Sequence, residues 1–239
     1  MSIRVKNDLL DRGSELYWED SEFTRNNFPS KFDFEIEVKR EIFRIARLLP
    51  TGYSVIDCGA HIGDLTIPLA GALSDIGRTD VQVFAMDPSM EKCTFLKRMV
   101  TKNRLQNVRV INCGLSNVSE IRFPHVPIDG NTGGTCWLHE EINTNSNAHL
   151  YNTGESFSFD TLDNLVSTGV IDRPIGLIHL DVENMELFAL RGSIKTISNY
   201  LPMICLEDHQ DDPDPFLDIL GTSYRFSHRI QNNSIFLTL

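Results

Sequence analysis

Little in this chain marks a secreted, membrane-spanning or nucleic-acid-binding protein. The five cysteines (Cys58, Cys93, Cys113, Cys136 and Cys205) are odd in number and scattered, with no C-x-x-C pair. Free thiols in the core and a reducing compartment are therefore expected, not a disulfide framework. The first twenty residues hold no apolar run that could act as a signal peptide. No segment approaches the ~20 apolar residues that span a bilayer. A cytoplasmic protein with no membrane partner is the expectation. Basic charge is also scarce, with 22 Lys and Arg against 33 Asp and Glu, for a net charge of −11. Nucleic-acid binding needs a basic face, so a small-molecule or sugar-like partner is expected and nucleic acid is not. Internal repeats and low-complexity tracts are absent.

At 239 residues the chain suits one α/β domain with a self-supporting core. Residues 1–50 read as an N-terminal cap and helix. The cap, 1–33, is polar and irregular, carries Tyr17, Trp18, Phe23, Phe28 and Phe32, and is expected to lie over the core or the site. Helical spacing of Ile36, Ile42, Phe43, Ile45, Ala46 and Leu49 follows, ended by Pro50-Thr51-Gly52. Residues 51–239 alternate short apolar strands with helices: strand 54–58, helix 62–76, strand 82–86, helix 89–103 and strand 108–112. After an insertion at 117–157 come a short helix 161–168, strand 175–180, helix 184–200, strand 203–206 and helix 213–220. The last two strands, near 222–229 and 233–239, flank Gln231-Asn232-Asn233 and read as an antiparallel hairpin. The pattern predicts βαβ units and a mostly parallel seven-stranded sheet with helices on both faces. The insertion holds Pro124, Pro127, Gly133-Gly134, Trp137, His139, His149 and Tyr151. Its length and aromatics favour a substrate-shaping lid.

Chemistry concentrates at the strand ends. Val55-Ile56-Asp57-Cys58-Gly59-Ala60-His61-Ile62-Gly63-Asp64-Leu65-Thr66 reads as a buried strand, a tight turn and a helix start. Such a turn aims backbone N–H groups and a positive helix end at a cofactor. Its D-x-G-x-x-x-G spacing lacks the third glycine of dinucleotide binders and favours S-adenosylmethionine over NAD. Asp57 can organise the loop or meet the methionyl ammonium, and Gly59 and Gly63 permit close backbone approach. Val83 to Asp87 is a second apolar strand ending in an acid, which can hold ribose hydroxyls. Asp87-Pro88-Ser89 also precedes a helix, so Asp87 and Ser89 are equally candidate caps. At the third strand, Asn112, Cys113 and Gly114 could face adenine, or simply end a strand.

Leu177 to Glu186 is the segment richest in chemistry. An apolar strand delivers Asp181 and Glu183 to the edge where open α/β sheets bind ligands, and the next strand delivers Glu207, Asp208 and His209 beside them. Five ionisable groups in one cleft call for a shared cation, substrate or proton. Glu186 reads as a partner for a helix N-terminus, and His179 as a buried structural histidine.

These motifs resemble the FkbM-type S-adenosylmethionine-dependent methyltransferases: V-I-D-C-G-A-H-I-G-D-L-T (55–66), F-A-M-D-P-S (84–89), F-D-T-L-D-N-L (159–165), I-H-L-D-V-E-N-M-E-L-F-A-L-R-G (178–192) and I-C-L-E-D-H (204–209). They run in the family's order over about residues 52–210. The resemblance implies a Rossmann-like class I methyltransferase fold and O-methylation of a sugar, glycan or related hydroxyl. His61 stands where the family commonly has Asn, and Asn184 where it commonly has Gly. Cofactor contacts are then expected from Asp57, Gly59, Ala60, His61, Gly63, Thr66, Asp87, Pro88, Ser89, Asn112, Cys113, Gly114 and Asp181. Glu183 or His209 is the expected general base, with Asp181 near the sulfonium. Asp181, Glu207 and Asp208 could form an oxygen site for Mg²⁺ or Mn²⁺, although the same carboxylates could bind sugar hydroxyls directly. The competing readings are an NAD-linked oxidoreductase, which the loop spacing opposes, and a non-catalytic binding module.

Overall fold

The computed structural model describes residues 2–10, 13–19, 35–127, 136–138, 150–152 and 156–239. Strands β1 (Ser2–Lys6) and β2 (Glu15–Glu19) open the chain as an antiparallel hairpin, and helix α1 (Ile36–Ala46) follows. Then come β3 (Ser54–Cys58), α2 (Thr66–Asp75), β4 (Gln82–Asp87), α3 (Met90–Lys102) and β5 (Val108–Asn112). Strand β6 (Gly114–Leu115) precedes the insertion, which carries β7 (Glu120–Pro127), β8 (Cys136–Leu138) and β9 (Leu150–Asn152), and β10 (Phe157–Asp160) leaves it. Helix α4 (Leu162–Ser167), β11 (Ile175–Leu180), α5 (Glu186–Arg191), α6 (Ile194–Tyr200) and β12 (Met203–Glu207) return the chain to the main sheet. Helix α7 (Asp214–Leu220), β13 (Tyr224–Ile230) and β14 (Asn233–Thr238) complete it.

Seven strands form that sheet in the order β13-β14-β12-β11-β3-β4-β5. Neighbours from β12 to β5 are parallel, and β14 runs antiparallel to both β12 and β13. The sheet is thus mixed through one reversed strand, as the terminal hairpin predicts. Successive residues on a strand face opposite sides. Val55, Val83, Ala85 and Leu177 accordingly enter a core beneath α1, α2 and α3, whereas Ile56, Phe84, Met86 and Ile178 enter a core beneath α4 to α7. Both faces are apolar because both are covered. Cys58, Cys93, Cys113 and Cys205 are free and buried in this framework. Among the described residues no helix is long and apolar enough to cross a membrane.

Three local differences from the sequence expectation have physical causes. Residues 2–10 and 13–19 are not irregular. Leu16 and Trp18 bury one face of the β1–β2 hairpin. Asn103 binds the Tyr17 backbone twice, accepting from its N–H (2.7 Å) and donating to its carbonyl (2.9 Å). The rest of the expected cap, 1, 11–12 and 20–33, lies outside the described residues. The expected helix 184–200 is two helices, because the chain turns at Gly192-Ser193. The described part of the insertion is strand: β7 pairs antiparallel with β10, β8 and β9. The lid reading rests on Trp137, His139, His149 and Tyr151, whose side chains lie outside the description.

Gly192 fixes that break. Its backbone φ is ordinary, −78°, but a Cβ there would run into the Ser116 carbonyl oxygen. Gly192→Ala is therefore expected to destabilise by roughly 2 kcal/mol through overpacking alone. Urea denaturation of both proteins measures it, and an unchanged midpoint would contradict the contact.

Candidate active site

Strand β3 ends in the interior and turns sharply. Gly59 has φ +85°, and a Cβ on it would overlap the Asp181 carbonyl oxygen. The Gly59 and Ala60 N–H groups both donate to the Met86 carbonyl, at 3.0 and 2.9 Å, tying the turn to β4. Gly63, at φ +96°, leaves room for Leu96 of α3. His61 adopts φ +48°, an uncommon conformation for a residue with a side chain. Its N–H donates to Asp87 Oδ2 at 3.0 Å. Burial drives the His61 imidazole down to about 3, so the ring is neutral. Nε2 is buried and has no hydrogen-bond partner among the described residues.

Asp87 is buried, and its carboxyl is raised above the usual range mainly by that burial. Oδ1 accepts from the Ser89 N–H (2.8 Å), while Ser89 Oγ accepts from Lys92 N and caps α3. The two candidate roles separate here: Ser89 caps, and each Asp87 oxygen keeps acceptor capacity for a ligand hydroxyl. Asn112 donates from Nδ2 to the carbonyls of Asp87 (3.1 Å) and Pro88 (2.7 Å), which fixes the β4 tip. Cys113 Sγ is turned to the Gly114 carbonyl, and a Cβ on Gly114 would strike the Phe159 ring. Asn112 and Gly114 thus have structural work beside any contact with a base.

Asp57 is also buried and fully engaged. Thr66 Oγ1 donates to its Oδ2, and His179 Nδ1 lies 3.0 Å from its Oδ1. Burial opposes a charged His179, but the hydrogen bond and charge of Asp57 outweigh it and raise the imidazole. His179 is thus the buried residue expected, and Asp57 organises the loop through two side chains. Beside them, Glu35, Lys39, Asp57, Asp64, His179 and Asp181 line a crevice beneath α1.

The acids gather on the other side of Gly59. Asp181 follows β11 and donates its N–H to the Cys58 carbonyl at 3.0 Å. Its carboxyl is lifted well above the usual range by burial and by Glu207, and Glu207 is raised in turn by burial. A side-chain hydrogen bond joins the pair, which needs a proton on one of the two carboxyls. Glu183 and Asn184 both adopt left-handed φ, +52° and +73°, so the turn forms with Asn in place of Gly. Glu186 Oε1 accepts from Val182 N at 3.1 Å and closes that turn. Burial, then Asp181, then Glu186 push the Glu183 carboxyl up to about 7. His209 Nε2 sits 3.2 Å from Glu207 Oε2.

Asp208 does not join this cluster. It is buried away from it, with Oδ2 accepting from Arg229 Nη1 (2.9 Å) and Ser234 Oγ (3.1 Å) and Oδ1 from Gln210 N (3.1 Å). Adjacent residues at a strand end point to opposite sides, so Glu207 and Asp208 diverge. The expected metal set Asp181, Glu207 and Asp208 is corrected accordingly. Among the described residues, one atom each from Glu183, Glu207 and His209 can come within 4.8 Å of one another.

The family model for the methyltransferase FkbM domain matches residues 57–228. The chain belongs to the FkbM methyltransferase family. No curated protein matches in sequence. Among solved structures, an FkbM methyltransferase from Methylobacillus flagellatus KT shares 20% identity at a TM-score of 0.49, over 79% of this chain and 44% of that one. A methyltransferase from Geobacter sulfurreducens gives 12% identity and 0.44, over 83% and 77%. A SAM-dependent methyltransferase from Aquifex aeolicus gives 12% and 0.42, over 91% and 93%. This FkbM methyltransferase thus spans less than half of the Methylobacillus chain.

Sequence reasoning missed three site residues of this FkbM methyltransferase: Glu35, Lys39 and Asp64. A signal existed for Lys39, a charge set among the inward residues Val38, Ile42 and Phe43 of α1. The Asp57–His179 pair yields a test. A raised histidine contributes stability that is complete below its unfolded value near 6.5 and is lost as pH rises through its folded value. His179→Leu is expected to lower stability by about 3 kcal/mol at pH 6, with a deficit that shrinks toward pH 9. Denaturant titrations across pH check this, and a pH-independent deficit would contradict the pair.

Proposed function

We propose that this methyltransferase takes S-adenosylmethionine as donor and methylates a hydroxyl of a sugar, glycan or related small molecule, with Glu183 as general base. The observation that carries this reading is the grouping of Glu183, two residues past the Asp181 carbonyl that packs on Gly59, with Glu207 and His209. Burial and Asp181 push the Glu183 carboxyl there up to about 7. A hydroxyl is a poor nucleophile, and a base is most effective with a pKa near the working pH. Bound S-adenosylmethionine would supply its methyl group to the acceptor oxygen as the carbon–sulfur bond breaks, and Glu183 would take the hydroxyl proton. S-adenosylhomocysteine and the methyl ether are the products. Positioning supplies much of the rate in such a displacement. Asp87 would hold the ribose, Asp181 would lie near the sulfonium, and Asp181 with Glu207 would accept acceptor hydroxyls. His209, held by Glu207, supports that wall. The acidic surroundings disfavour phosphate-bearing acceptors and suit neutral polyols.

Labelled methyl transfer from S-adenosylmethionine to a panel of sugar- and glycan-terminated acceptors tests the proposal. The rate is expected to rise with pH through about 7 as Glu183 deprotonates. Glu183→Gln is expected to lower kcat by about 10²–10⁴ and to abolish that limb. Cofactor binding without turnover on any acceptor would favour a non-catalytic module. Full activity in EDTA is expected; its loss would instead favour a cation held by Glu183, Glu207 and His209, a carboxylate–imidazole set suited to Mn²⁺.

A further inference from the structure

The crevice beneath α1 adjoins the acidic cluster through Asp181, and its chemistry is of both signs. Lys39 sits on the buried face of α1 with its side chain only 4% exposed. Its Nζ lies 3.0 Å from Asp64 Oδ2, its one partner among the described residues. Burial works against ionised Asp64, yet the Lys39 ammonium holds its carboxyl below the usual range. An ammonium has three donors, so one carboxylate leaves donor capacity unspent inside an enclosed space. A buried cation is expensive unless paired and hydrogen-bonded. Glu35 stands beside Lys39, four residues earlier at the N-cap of the same helix, and Asp57, Gly59, His179 and Asp181 line the same crevice. A zwitterion whose anionic end meets Lys39 and whose cationic end meets Glu35 matches this arrangement.

S-adenosylmethionine ends in such a group, an α-amino acid. Resting on the donor assignment above, we infer that Lys39 binds the carboxylate of the cofactor's amino-acid end, with Glu35 on the side of its ammonium. Helix α1 is thereby part of the cofactor site, although it precedes the residues of the family match. Gly59 connects the two ends: the loop that contacts Asp87 through His61 also lines the crevice. Lys39 is a binding residue and takes no proton in the reaction.

Calorimetric titration of the full chain with three ligands tests this: S-adenosylhomocysteine, its decarboxylated analogue, and 5′-methylthioadenosine, which lacks the whole amino-acid end. Wild-type protein is expected to bind S-adenosylhomocysteine at least about tenfold more tightly than the decarboxylated analogue, the scale of a hydrogen bond between charged groups. Lys39→Met is expected to erase that preference and leave 5′-methylthioadenosine affinity within roughly threefold. Lys39→Arg keeps the charge and is expected to restore the preference. Asp64→Asn breaks the same ion pair without removing the ammonium and is expected to retain it. Equal wild-type affinity for the first two ligands would overturn the inference without recourse to any variant. Loss of the preference in Asp64→Asn would also overturn it, since the pair would then be structural. If wild type binds none of the three, the donor assignment itself falls.

Discussion

The close approach of two backbone turns at the centre of the sheet governs this site. Gly59 lies against the Asp181 carbonyl with no room for a side chain, and the Asp181 N–H donates to the Cys58 carbonyl at 3.0 Å. A parallel sheet places the ends of β3 and β11 side by side at one edge. The missing Cβ then lets the following loops close on each other. The Gly59 loop and the acid-bearing loop therefore form one object. What fixes Gly59 also fixes Asp181, and through it Glu207 and Glu183.

Charge in this object is arranged by burial. Asp57 is stabilised by Thr66 and His179, and Asp64 by Lys39. Those acids are structural or binding groups because each has a partner. Asp181 and Glu207 are hydrogen-bonded to each other, and for Glu183 burial and its two acidic neighbours outweigh the pull of Lys92. Burial that no cation offsets raises a carboxyl toward neutrality. The same residue type therefore orders a loop on one side of Gly59 and is poised to accept a proton on the other.

Much of this was legible in the sequence because it follows local rules. Apolar strands ending in acids placed Asp57, Asp87, Asp181 and Glu207 at one sheet edge, and the Asn-rich turn marked the hairpin that makes β14 the reversed strand. What escaped was set by tertiary contact. Asp208 looks as available as Glu207 until Arg229 and Ser234, contributed by the last two strands, claim it. Lys39 and Asp64 are 25 residues apart and meet only because α1 packs beside the first loop. The split between α5 and α6 depends on Ser116 pressing on Gly192, a contact that helical periodicity does not record.

Hydrogen–deuterium exchange with S-adenosylhomocysteine measures the coupling of the two loops. Saturating ligand is expected to slow exchange together in Gly59–Gly63 and in Asp181–Glu186, because one cannot tighten without the other. Protection confined to the first loop, with the second exchanging as in the free protein, would contradict the account.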